Sequence, residues 1–142
     1  MPLTDDDPEV ALLRRNLSAL LQALRTLPVS LVQVRYEGVR GRCRLCEVSL
    51  LPCHSGRLLE IRVALQRLTA DAGAGQASTF EEQVNLGEGL KRFTLHWTSL
   101  QHGHWQRGDG GHGVMRLQVA SGMATLDHDA IHIEQFHATL RE

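Results

Sequence analysis

The stretch LVQVRYEG, residues 31–38, alternates strictly between apolar and polar positions over most of its length. Val32, Val34 and Tyr36 fall on one side. Leu31, Gln33, Arg35 and Glu37 fall on the other, which is the period of a strand with one face in a core. A glycine-bearing turn, Gly38-Val39-Arg40-Gly41, follows. RLCEVSLL (44–51) then reads as a second strand, so 31–51 is expected to form a hairpin.

The same period recurs on both sides of this hairpin. LLEIRVALQRL (58–68) sends Leu59, Ile61, Val63 and Leu65 one way and Glu60, Arg62 and Gln66 the other. Met115, Leu117 and Val119 share a face, ASG turns the chain at 120–122, and Ala124-Thr125-Leu126 continues. Asp127-His128-Asp129 reads as a turn leading to a last strand around Ile131-His132-Ile133. Two segments change period. Asp7-Pro8-Glu9 is a helix start, and Val10, Leu13, Leu17, Leu20, Leu21 and Leu24 then follow a 3–4 spacing up to Pro28. Thr79 with Glu82 makes a capping box, predicting a second helix to about Leu100 with Phe80, Val84, Leu90, Phe93 and Trp97 near one face. The expectation is an α+β fold in the order α-β-β-β-α-β-β-β, a mainly antiparallel sheet with two helices packed on it. The 142 residues suit one domain, with residues 1–8 as a flexible N-terminus.

Composition excludes more than it assigns. Formal net charge is −1, so nothing global draws the chain to nucleic acid or an anionic membrane. Fourteen of the 15 basic residues are arginine, Lys91 being the exception. The N-terminus MPLTDDDPEV is acidic and lacks the apolar stretch of a secretory signal, and no run has the roughly 20 apolar residues of a membrane span. A cytoplasmic location is expected. Aromatic residues are 4%, too few for stacking single-stranded bases along a groove.

Three clusters invite a chemical reading. The first is HGHWQRGDGGHGV (102–114), with His102, His104 and His112, Asp109, Trp105 and five glycines. Its turn chemistry favours a helix-to-strand connection with Trp105 plugging the end of the core. The second is Cys43, Cys46, Cys53 and His54, residue types that ligate zinc or supply a thiolate. A strand through 43 and 46 would send those two side chains to opposite faces. The third is the arginine-rich hairpin with Arg40, Arg42 and Arg44, able to contact an anionic or protein partner.

The HG-x-W and DGG-x-G elements, here His102, Gly103, Trp105, Asp109, Gly110, Gly111 and Gly113, with MRLQVASGMATLDHDAIHIEQFHATL (115–140), carry a family resemblance. The chain resembles the uncharacterised bacterial family known as domain of unknown function 6878, from about Leu31 to Leu140. That family usually carries a Gly-Ser-Gly-Asp-Ser-Gly-like turn in the early hairpin. YEGVRGRCRLCEV keeps Gly38 and Gly41 but not the serine and acidic character. The resemblance implies a fold and no reaction, and by analogy an accessory role in mobile-element or defence-associated loci.

The expected function is a non-catalytic protein-interaction or adaptor module, a subunit of a bacterial assembly, with no catalytic residue, cofactor or metal ligand. Arg40, Arg42, Arg44, His102, His104, Asp109 and His112 are its candidate partner-binding residues, and Trp105 its structural anchor. The expected partner is a protein, with homo-oligomerisation open and nucleic acid and membrane disfavoured. Two alternatives stand. One is a metal- or thiol-dependent enzyme on the Cys43/Cys46/Cys53/His54 cluster or the His102–His112 loop. The other is a nucleic-acid accessory factor on the arginine-rich hairpin.

Overall fold

A computed structural model describes residues 7–39, 42–53, 55–68, 79–101, 111–130 and 135–142. Their order is α1 (Pro8–Leu24), β1 (Val29–Val39), β2 (Arg42–Pro52), α2 (Gly56–Leu59), β3 (Arg62–Leu68), β4 (Thr79–Asn85), α3 (Leu86–Gln101), β5 (Gly111–Gln118), β6 (Met123–Ala130) and β7 (Gln135–Arg141). The α+β expectation holds. Five strands form one antiparallel sheet in the order β2-β1-β5-β6-β7, and β3 and β4 form a separate two-stranded ribbon.

Alternation decides which sheet face is dry. Val34 lies opposite Val48 on one side and Met115 on the other, and Met115 opposite Leu126. Val32, Leu117, Ala124 and Leu140 form a parallel row. All of these are buried, and with the stripes of α1 and α3 they make the main core. The intervening positions carry Gln33, Arg35, Glu47, His112, Arg116 and His137, and this face is uncovered among the described residues.

Helix α1 starts as its sequence dictates. The Asp7 carboxylate accepts from the Glu9 N–H at 2.9 Å and Pro8 occupies the first turn. Leu13, Leu17, Leu20, Leu21 and Leu24 are fully buried. The helix is tied to the sheet at its C-terminal end, where Arg25 Nε donates to the Val119 carbonyl at 3.2 Å. Gly122 closes the β5–β6 hairpin at φ 71°, the left-handed conformation that glycine adopts without steric cost.

The ribbon packs against both helices. A Cβ on Gly89 of α3 would meet Leu20 of α1 at 3.2 Å and Leu65 of β3 at 3.4 Å, so this glycine sits at the three-way junction. Asn16 of α1 holds the ribbon. Its Nδ2 donates to the Gln66 carbonyl at 3.1 Å and its Oδ1 accepts from the Gln66 N–H at 2.8 Å. A side-chain amide thus takes the place of a third strand at that residue.

Several local expectations are corrected. Residues 79–85 are strand, so Thr79 and Glu82 do not cap a helix. Pairing with β3, which sets Val84 opposite Val63, overrides the capping pattern. Helix α3 begins at Leu86, with Asn85 Oδ1 accepting from the Glu88 N–H at 2.7 Å. Residues 56–59 form a one-turn helix capped by Ser55, so the following strand begins at Arg62. Asp127-His128-Asp129 lies within β6 and is no turn. The expected strand at 131–133 falls outside the described residues, and the last strand is β7.

Gly111 and Gly113, read as loop glycines, belong to β5. A Cβ on Gly113 would lie 2.3 Å from Tyr36 Oη and 2.4 Å from the Asp127 carbonyl oxygen. Gly113→Ala is therefore expected to destabilise the fold by about 3 kcal/mol or more in urea unfolding, the upper end of overpacking costs. Gly56→Ala, where a Cβ meets nothing within 4 Å, is expected to be neutral or to stabilise by up to about 1 kcal/mol.

Candidate functional site

One row across the sheet is unlike the rest of the core. Cys46, Tyr36, Gly113 and His128 are consecutive in register across β2, β1, β5 and β6. Because Gly113 has no side chain, Tyr36 reaches over β5 to His128. Its hydroxyl is 2.8 Å from His128 Nδ1, and the two rings stack with centroids 5.8 Å apart and planes 12° apart. Gly111 leaves room on the other side, since a Cβ there would be 2.9 Å from His128 Nε2. Burial pushes the Tyr36 phenol well above its ordinary range. Hydrogen bonding with Thr98 of α3 works in the opposite direction, and the Asp129 and Asp127 carboxylates add to the rise. Tyr36 and His128 are each 2% exposed. Sealed in this way, the pair is a satisfied polar contact within the core.

The uncovered face carries the exposed chemistry. Asp127 pairs with His137 Nδ1 and, at 3.4 Å, with Arg116. Thr139 Oγ1 lies 3.4 Å from His137 Nε2, and His112 Nδ1 lies 3.8 Å from Asp129. Carboxylate, imidazole and hydroxyl follow in the order of a nucleophile relay. The hydroxyl contact is at the long limit of a hydrogen bond and lies within β7, while the Asp127–His137 pair links β6 to β7 across the open sheet face. The described side chains on this face balance Arg35, Arg116 and Arg141 against Glu37, Glu47, Asp127 and Asp129.

A second concavity, of about 410 Å³, lies where α1, α3 and β3 meet. Leu12, Leu65, Phe93 and Leu95 give it an apolar lining, and Glu9, Arg67, Arg92 and His96 are its ionisable groups. His96 is half-buried. Burial lowers the pKa of its imidazole, against the nearby Glu9 and Asp7 carboxylates, which favour the charged form.

The structure describes only some of the predicted site residues, and those it describes lie on different parts of the sheet. His112 is on β5, exposed on the uncovered face. Arg42 and Arg44 lie at the start of β2, beside the end of β1. Arg40, His102, His104, Trp105, Asp109 and His54 fall outside the described residues. Cys46 is half-buried on the core side opposite Tyr36, while Cys53 is exposed just beyond the other end of β2. Seven residues of extended chain separate these two thiols by about 24 Å, so they do not share a ligand set. Among the described residues no group of three His, Cys, Asp or Glu is placed to hold a metal ion. Sequence reasoning missed Tyr36–His128 and Asp127–His137. Alternation marked Tyr36 as core-facing, but the pairing register is not written in any one strand.

The chain was compared with known proteins on this footing. Residues 12–139 match the profile of a family described as "Family of unknown function (DUF6878)". The chain belongs to the DUF6878 family. The match begins within α1, so the first helix is part of the DUF6878 region, which extends beyond the stretch carrying the glycine motif. No curated protein and no solved structure matches the chain. Two glycines of that motif, Gly111 and Gly113, are the ones that admit the Tyr36–His128 pair. Among the described residues no helix is long and apolar enough to cross a membrane.

Two titrations test this description. Tyr36 is the single tyrosine of the chain. Absorbance at 295 nm should show no tyrosinate transition near pH 10 in the folded protein. A folded-state value above the unfolded one gives stability that is full below about pH 10 and is lost as the pH rises beyond it. His96 has the opposite sign. Its lowered folded value gives stability present above about pH 6.5 and lost as the pH falls below it. The fall in melting temperature from pH 7 to pH 5 should be smaller in His96→Gln than in the wild type.

Proposed function

We propose that this protein is a non-catalytic interaction module, a cytoplasmic subunit or accessory protein of a bacterial assembly, and that the uncovered face of the five-stranded sheet is its contact surface for a partner protein. The observation that carries this reading is the face itself. Side chains from all five strands are held in register on a rigid support, with ionic pairs already set across strands. Five strands spaced about 4.8 Å apart and about seven residues long span roughly 24 by 24 Å. That is under about 600 Å² in projection, the size of one partner's share of a small, transient interface. Charges of both signs steer and orient a complementary protein surface. Among the described residues, three arginines against four carboxylates give this face no cation excess of the kind a phosphate backbone selects for.

Arg35→Glu with Arg116→Glu reverses charge on this face without touching the core. A partner captured by the wild-type chain should be lost on the double variant, with the melting temperature unchanged within about 2 °C, since exposed pairs contribute little to stability. Light scattering of the purified chain reads self-association through the same face. Retention of the same partner by the double variant, with undiminished affinity, rules out this surface.

A further inference from the structure

The cleft between α1, α3 and β3 lies apart from the sheet face and has its own chemistry. Its shape is held from both sides. Asn16 locks β3 to α1 through two hydrogen bonds to Gln66. Glu82 Oε2 takes Arg67 Nη1 at 3.0 Å and Arg92 Nη1 at 2.9 Å, which fixes both guanidiniums. Arg92 Nε is in turn on Glu88 at 3.2 Å. The cavity is thus preformed, and its volume is within the range of small-molecule sites.

Its polar groups are donor-rich. A guanidinium has five N–H donors. Arg92 spends those of Nε and Nη1 on Glu88 and Glu82, and Arg67 spends Nη1 on Glu82. The Nη2 groups of both make no hydrogen bond among the described residues, and neither does the His96 imidazole. Arg92 and His96 are one helical turn apart on α3 and line the same cavity, so one acceptor-rich head group can reach both. Leu12, Leu65 and Phe93, each under 9% exposed, supply an apolar bed beside them. Glu82 and Glu88 neutralise the two arginines and Glu9 lies beside them, so the cleft has no cation excess and its selectivity rests on directed N–H donors that a single carboxylate group can satisfy.

We infer that this cleft binds a small apolar monocarboxylate, its carboxylate held by Arg92 and His96 and its hydrocarbon part lying on Leu12, Leu65 and Phe93. The inference does not depend on the sheet face being a contact surface. Three probes of equal length decide it by isothermal titration calorimetry below their micellar concentrations: decanoate, decanol and decylammonium. Saturable one-to-one binding of decanoate, at least tenfold tighter than of either other probe, is expected. Arg92→Gln should weaken decanoate about tenfold or more. His96→Phe, which keeps the apolar volume, should weaken it several-fold, and Leu12→Trp should abolish it by filling the cleft. Arg67 still holds Glu82 in the Arg92 variant, and its melting curve checks that the fold survives. The sheet variant carrying Arg35→Glu and Arg116→Glu should bind decanoate as the wild type does. Equal binding of decanol, preference for decylammonium, no binding of decanoate, or binding unaffected by Arg92→Gln and Leu12→Trp each overturns the inference.

Discussion

A missing Cβ at Gly113 is the constraint on which the centre of this molecule depends. Tyr36 on β1 and His128 on β6 are not neighbours in the sheet, because β5 runs between them. They meet only because the intervening residue has no side chain, and the gap that glycine leaves is filled by the phenol itself. A buried phenol and a buried imidazole satisfy one another, which spares each the cost of an unpaired polar group in a dry core. The pair also links three strands through side chains as well as through the backbone ladder. It fixes the register of β5, because a slip of one residue would put His112 where Gly113 must be.

Around that centre the molecule is assembled by faces. The sheet has one dry face, and α1 and α3 cover it. The helices have apolar surface left over on the side away from the sheet, and the β3–β4 ribbon takes it. A two-stranded ribbon alone is marginal in water. Here Val63, Leu65 and Val84 are buried and Asn16 binds the backbone of Gln66. The same assembly leaves two surfaces with chemistry: the outer sheet face, where charges from five strands are arrayed, and the cleft at the junction of α1, α3 and β3. Both are made of residues from at least three elements, so neither has a local signature.

The legible parts were those where one period dominates. The leucine stripe of α1, the alternation through 31–38 and the ASG turn at 120–122 are each a local pattern with one physical solution. The misread parts had two solutions. Thr79 with Glu82 satisfies a capping rule, yet pairing with β3 makes 79–85 a strand. Asp127-His128-Asp129 has turn composition. In β6 its two aspartates face solvent and its histidine faces the core, where Tyr36 accepts it. The cysteines are a different case: their closeness in sequence offers a ligand set as an alternative, and alternation along the strand argues against it. The extended strand puts Cys46 and Cys53 far apart, one inside and one outside.

The amino-acid sequence alone settled the fold class, the first helix and the dry side of each clear strand, because hydrophobic periodicity is a local property that burial reads directly. It also carried the family, through glycines whose purpose it did not disclose. Strand order, the register that brings Tyr36 to His128, and the convergence of Arg92, His96 and Leu12 on one cleft were decided only in three dimensions. Those contacts join residues far apart along the chain, and which of the many compatible pairings wins depends on packing the whole core at once.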